Sequence, residues 1–229
     1  MNKTMLKKIY THFYNRAKTI RQNCFWKKKG AKSKIFAPLR IIGKHFIEIG
    51  SNVIIMHHAR IEAVYAYADE YFSPILQIGD YTTIQQRVHI TCAEKVVIGS
   101  HVAILPDVLI TDINHPYTEL NTPPSECRLE HKPVFIGDET IVGMGARILP
   151  GVNIGKHCCI GTNAVVTKNI PDYSVAVGNP AKIIKQYDFG EKRWRKIDET
   201  IQLCSRGGGT NLVLLSKKLC IPLMYKRCA

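Results

Sequence analysis

Between residues 136 and 166 a branched aliphatic residue returns every six positions: Ile136, Val142, Ile148, Ile154, Ile160 and Val166. Glycine follows four of them, at Gly137, Gly143, Gly155 and Gly161. The residue four places on is small or modest in size: Thr140, Ala146, Val152, Cys158, Ala164 and Ile170. A period of six matches neither the helical repeat of 3.6 nor the strand repeat of two. It is a structural repeat, and one this short points to a solenoid. A parallel β-helix with three short walls per coil produces it. Each wall turns one aliphatic side chain inward, and glycine beside it permits the tight turn to the next wall.

Counting outward fixes a register. The inward residues fall in threes: Ile49, Ile55, Ile61; Ile78, Ile84, Ile90; Ile98, Ile104, Ile110; Ile136, Val142, Ile148; and Ile154, Ile160, Val166. This predicts about five coils, beginning near residue 41. Spacing within each triple is six, while between triples it is 17, 8, 26 and 6. Every insertion therefore sits at one corner of the prism, and insertions along one edge of a solenoid mark its binding edge. The largest, 111–135, is rich in Pro, Asn and Thr and reads as an irregular functional loop. Pro171, Gly178 and Pro180 close the repeat.

Three segments follow: a basic, helical N-terminal segment over 1–40, a β-helix over 41–185 and a C-terminal region over 186–229. In the first, Met5, Ile9, Tyr10, Phe13, Ala17 and Ile20 share a helical face. That face suits either an anionic membrane surface or the end of the solenoid. Residues 188–200 read as a short charged helix that caps the last coil. The apolar, basic stretch near 212–227 suits an interfacial anchor, a strand or a protein contact.

The formal charge of +14 at first suggests a nucleic-acid binder. Divided along the chain, it does not. Residues 1–34 hold 11 Lys/Arg and no acid, 35–181 hold 10 basic and 14 acidic residues, and 182–229 hold 11 basic and 4 acidic. The solenoid is mildly acidic and the ends carry the basic charge. No aromatic-basic motif accompanies it, so no nucleic-acid partner is expected. No signal peptide or membrane span is evident, and the eight cysteines form no C-x-x-C pair. A cytoplasmic protein with reduced thiols is expected, with peripheral contact at the inner membrane face through the basic ends.

The stretches IGDETIVGMGARILPGVNIG, GTNAVVTKNIPDYSVAVGNPAKIIK and TDINHPY resemble the hexapeptide-repeat acyltransferases. The resemblance spans about 41–185. It is nearest the galactoside, maltose and nodulation-factor acetyltransferases and the O-acetyltransferases of lipopolysaccharide and capsule. It implies a left-handed parallel β-helix, a homotrimer with its active site between subunits, and acetyl-CoA as co-substrate without a metal.

A sugar hydroxyl must lose its proton as it attacks a thioester, and histidine suits that task. His115, in Asn114-His115-Pro116 on the long insertion, matches the family's catalytic position. Asp112 is placed to orient it, although a backbone carbonyl would serve, and Asp112 could instead cap the loop. Arg87, His89 and Asn114 are candidates for acceptor contact. The resemblance further implies an oxyanion donor at the Met144 amide, where relatives commonly carry a small polar residue. It assigns Gly143, Met144, Thr162, Thr167, Lys168, Asn179, Pro180, Lys182 and Lys185 to coenzyme A. The expected reaction is direct O-acetylation of an envelope polysaccharide or its precursor. The alternatives are a sugar-nucleotide N-acetyltransferase, a γ-carbonic-anhydrase-like metalloenzyme using His89, His101 and His115, and a noncatalytic scaffold.

Overall fold

The computed structural model describes residues 25–197, apart from 68, 119 and 125. The expected N-terminal helical face and the apolar tail lie outside the described residues.

The chain winds as a parallel β-helix with three flat faces. The first face stacks Lys28–Lys29, Ile47–Ile49, Ile75–Ile78, Lys95–Ile98, Val134–Ile136 and Asn153–Ile154. The second stacks Lys34–Ile35, Ile54–Ile55, Thr83–Ile84, Ala103–Ile104, Ile141–Val142, Cys159–Ile160 and Ser174–Val177. The third stacks Arg40–Ile42, Arg60–Ala63, His89–Cys92, Leu109–Thr111, Arg147–Ile148 and Val165–Val166. Register follows the sixfold spacing residue for residue: Ile55, Ile84, Ile104, Val142 and Ile160 form one continuous column.

The inward aliphatics are buried, and the positions four residues on bury as corner fillers: Thr140, Ala146 and Ala164 are fully buried and Cys158 nearly so. Each isoleucine removed from water in this way stabilises the coil by about 1.5–3 kcal/mol. At the corner after the first face, glycines stack coil on coil. A Cβ added to Gly99 would lie 2.3 Å from Asp138 Oδ1 and 2.8 Å from Asp138 N. The coils approach too closely there for any side chain.

Two expectations change. Six coils are complete rather than about five, because residues 28–42, of which 28–40 were assigned from sequence to the N-terminal segment, form a further coil. Its inward positions are Lys29, Ile35 and Ile41, in register with Ile49, Ile55 and Ile61, so the sixfold spacing holds but only two of the three are aliphatic. Trp26, Ile35 and Ile41 pack against the core there.

At the other end the described part of the expected helix over 188–200, residues 188–197, belongs to a β-hairpin. Lys182–Asp188 pairs antiparallel with Ser174–Val177 at the end of the second face, and Arg193–Lys196 pairs antiparallel with Lys182–Asp188. The turn is set by Asp188, whose Oδ1 accepts the amides of Gly190 and Glu191, both at 2.9 Å. Tyr187 packs edge-on against Trp194 and Phe189, and Ile183 packs on the core. The end of the solenoid is thus covered by continuing its own ladder.

Replacing Gly99 with alanine is expected to cost about 1–3 kcal/mol, as overpacking does, and to lower the thermal unfolding midpoint by several degrees. An unchanged midpoint would show that the corner has room the stacking denies.

Candidate active site

The three edges of the prism differ in what they do with backbone amides. At the edge between the first and second faces, aspartates take three of them. Ser51 N donates to Asp80 Oδ1 at 2.6 Å, Ser100 N to Asp138 Oδ1 at 2.7 Å and Lys156 N to Asp172 Oδ1 at 3.0 Å.

The edge between the second and third faces is different. There the left-handed residue of each corner donates its amide to a carbonyl of the previous coil: His58 to Ala37, Arg87 to His57, Asp107 to Gln86, Gly145 to Pro106 and Asn163 to Met144. The preceding corner residues are His57, Gln86, Pro106, Met144 and Thr162. Proline has no N–H, and the amides of the other four have no partner among the described residues. This amide edge presents a column of unused donors. Gly143, Met144, Thr162, Asn179 and Pro180 all lie along it, and Lys182 follows the Gly178–Ala181 turn. Within the Gly143–Ala146 turn, Gly143, Gly145 and Ala146 all spend their amides and only Met144 does not. Arg147, which sequence reasoning passed over, fixes the carbonyl side of this turn. Its Nη1 donates to Asp107 O and Gly145 O at 2.7 Å each and to Ala146 O at 3.3 Å.

The edge between the third and first faces carries both long insertions, as the spacing predicts. Each contains an antiparallel hairpin: Ala66–Tyr67 with Glu70–Tyr71, and Ile113–Asn114 with Glu130–His131. The two hairpins hold each other. Arg128 pairs with Glu70 at 3.3 Å, Phe72 packs edge-on against His131, and Tyr67 packs edge-on against His115 with centroids 5.5 Å apart. His115 is exposed, while Pro116, Cys127 and Leu129 of the same loop are buried. Thr167 and Lys168 stand on this same edge, exposed.

His115 makes no hydrogen bond within the described residues, whereas His131 pairs with Glu94 at 2.8 Å and His157 with Glu139 at 3.0 Å. Two of its proposed neighbours have other duties. Asp112 is fully buried, and its carboxylate accepts the amides of Ala93, Glu94 and Lys95, each at 2.8 Å. Burial pushes its carboxyl up and these three N–H groups pull it back. The orienting role expected for Asp112 is therefore corrected: it staples the corner of the previous coil. Its own carbonyl accepts Lys132 N at 2.8 Å, which ties the loop's exit to its entry. Asn114 gives its Nδ2 to Glu130 Oε2 at 3.1 Å, so that donor holds the hairpin.

Arg87 lies on the amide edge in a bidentate pair with Asp107, at 2.7 and 2.6 Å. His89 lies on the third face beside Glu62. Burial and then Arg60 depress its pKa, while Glu62 raises it. His101 stacks on Tyr81 at the aspartate edge. His89, His101 and His115 thus occupy a face and two edges and do not converge within one chain. Cys92, Cys127 and Cys158 are buried, and burial pushes the thiols of Cys92 and Cys158 up. Cys159 is exposed on the second face.

Residues 133–168 match the family model described as bacterial transferase hexapeptide (six repeats). A putative lipopolysaccharide biosynthesis O-acetyltransferase of Escherichia coli K12 is 33% identical over 191 residues, covering 80% of this chain and 86% of the relative. A galactoside O-acetyltransferase of Lactococcus lactis is 30% identical over 165 residues, covering 67% of this chain and 73% of the relative. Among solved structures, a maltose O-acetyltransferase from Clostridium difficile 630 superposes with a TM-score of 0.52 at 26% identity, covering 77% of this chain and 76% of that one. The coil shares the left-handed sense of these proteins.

Substituting Asp112 with alanine would leave three amides without their acceptor, at a cost of about 1–3 kcal/mol for the buried Ala93 N–H and less for the half-buried Glu94 and Lys95. Hydrogen exchange is expected to accelerate at residues 93–95 and through 112–133 while the distant Gly155–Ile160 corner is unaffected. Exchange unchanged at 93–95 would refute the staple.

Proposed function

Because the chain belongs to the hexapeptide-repeat acetyltransferases, we propose that it moves the acetyl group of acetyl-CoA onto a sugar hydroxyl of a cell-envelope polysaccharide, lipopolysaccharide or capsule, or onto its precursor. The observation that carries the reading is the pairing of an uncommitted imidazole, His115, with an uncommitted backbone donor, Met144 N–H.

In one chain these groups sit on opposite edges of the third face. A ring of copies resolves the separation. Each copy offers one insertion edge and one amide edge, so a head-to-tail contact sets His115 of one against Met144 of the next. A homotrimer closes such a ring and builds three sites. The same contact brings Thr167 and Lys168 on one edge towards Thr162, Asn179 and Pro180 on the other. The pantetheine arm carries amide carbonyls that suit the Thr162 N–H, and Lys168, Lys182 and Lys185 supply point charges for phosphate.

His115 takes the proton of the attacking hydroxyl. The oxygen bonds to the thioester carbon, and the carbonyl oxygen gains charge that Met144 N–H receives. As the C–S bond breaks, the imidazolium returns its proton to the thiolate of coenzyme A. No acetylated cysteine is needed. The described residues include no helix long and apolar enough to cross a membrane. We place the reaction on the cytoplasmic side, where acetyl-CoA is made, with the basic ends of the chain available to an anionic membrane surface.

Acetyl transfer to envelope glycans, followed by mass spectrometry, tests the base. His115→Ala is expected to lower kcat by about 10²–10⁴. An unchanged rate would remove His115 from the mechanism.

The oxyanion donor has its own test. Pro106 already occupies the equivalent corner one coil earlier, so Met144→Pro is expected to fold. It deletes only the N–H and should cost about 10²–10³ in kcat, while Met144→Ala stays near wild type. Equal activities in the two variants would move the donor elsewhere.

A further inference from the structure

On the outward surface of the third face, one column runs through Arg40, Arg60 and His89, in register on successive coils. Beside it stands Glu62, whose side chain is only 6% exposed. Its two oxygens serve three residues: Arg40 Nε at 3.3 Å, Arg60 Nη2 at 2.8 Å and His89 Nε2 at 3.5 Å. One carboxylate does not satisfy them. Arg60 Nε and His89 Nε2 are both buried and lack a hydrogen-bond partner. A buried guanidinium donor such as Arg60 Nε is costly unless a further acceptor completes the set, and His89 Nε2 joins it when that nitrogen carries the proton. Yet the cluster is open to solvent, since the side chains of Arg40, Arg60 and His89 are 59%, 43% and 33% exposed. Two guanidinium groups against one carboxylate leave a surplus positive charge. What the cluster lacks is one more oxyanion.

Its place gives that oxyanion a source. Arg60 and His89 follow directly on the amide-edge corners of His57–His58 and Gln86–Arg87. His89 lies two coils before Met144, so at the spacing of adjacent strands it is about 10 Å along the axis from the proposed oxyanion donor. An acceptor of more than one sugar, with its reacting hydroxyl at Met144, reaches this height along the same edge. We infer that Arg40, Arg60 and His89 form a subsite for an anionic substituent of the acceptor, a carboxylate or a phosphate. The inference rests on the sugar-acceptor reading above and narrows its substrate class to acidic glycans. Planar guanidinium groups suit either anion, because both offer paired oxygens.

The test uses the full chain and three disaccharide acceptors of equal size. One is neutral, one ends in a uronic acid and one ends in a hexose phosphate. Wild type is expected to show kcat/KM about tenfold higher for at least one charged acceptor than for the neutral one, with the advantage falling as salt rises. Whichever charged acceptor is preferred identifies the source of the anion. Arg60→Gln should bring the charged-to-neutral ratio close to one. Because that change strands the buried Glu62, the double variant Arg60→Gln/Glu62→Gln and the more exposed Arg40→Gln are measured beside it, and both should reduce the ratio. A ratio near one in wild type, or a ratio that survives all three variants, overturns the subsite. So does a variant whose ratio holds while its assembly falls apart by light scattering, which would make the cluster a contact between copies. Failure to acetylate any of the three acceptors overturns the sugar-acceptor reading itself, and the subsite with it.

Discussion

Everything in this molecule depends on the passage of backbone directly over backbone at the corners of the prism. Coils stack at the spacing of hydrogen-bonded strands, about 4.8 Å, and a wall of six residues leaves one inward place for an aliphatic side chain. Gly99 cannot carry a side chain for that reason, and Thr140, Ala146 and Ala164 are small for a related one, since they fill corners that larger groups would split. The fold is therefore rigid along its axis and permissive only where a corner faces away from the stack.

That constraint gives the edges separate characters. Each corner has an amide that the ladder uses and one that it does not. Aspartates absorb three of the spare amides at one edge, through Asp80, Asp138 and Asp172. At the next edge no group among the described residues does, and the amides of His57, Gln86, Met144 and Thr162 are left over, with Pro106 interrupting the row. At the third edge the ladder tolerates inserted chain, and two hairpins leave it side by side. Asp112 shows what the insertion costs. The corner before it needs a buried carboxylate to hold residues 93–95, and the same residue closes the loop that presents His115. In the proposed reaction, chemistry is thus divided between a side chain on one edge and a main-chain donor on another.

The sequence was legible wherever a side chain reports on the stack. Five triples of isoleucine and valine set the register, and the spacing sent each insertion to its proper corner. It failed where the reporting side chain was absent. The first coil keeps the spacing in Ile35 and Ile41, but it was passed over because Lys29 stands where the first aliphatic of the triple was expected. The closing hairpin was hidden because a charge-rich stretch with few apolar residues looks helical, although Asp188 and Gly190 mark a turn. Asp112 was misjudged because nearness in sequence to His115 said nothing of the three amides one coil away. Tyr67, which packs on His115, sat in an insertion that was recognised, but its pairing with the other insertion needed the fold. The amide edge was out of reach for a simpler reason: a backbone donor has no letter.

That last point bears on Met144. The residue at 144 is methionine rather than the small polar residue expected there. Its side chain is half exposed, and the group of interest is the N–H behind it. The turn that aims this N–H is fixed by neighbours: Gly145 at a φ of 71°, and Arg147 bound to the carbonyls of Asp107, Gly145 and Ala146. With the peptide held from both sides, the residue that contributes the amide is free to vary in everything but its nitrogen. A donor held in this way needs no reorganisation when charge appears on the substrate, which is where such a group is most effective. The same logic explains why the proposed base is different. An imidazole must be carried by a side chain, so it requires a specific residue, and the loop that carries it buries Pro116, Cys127 and Leu129. The half of the proposed site that is visible in the sequence is the half that had to be built off the stack.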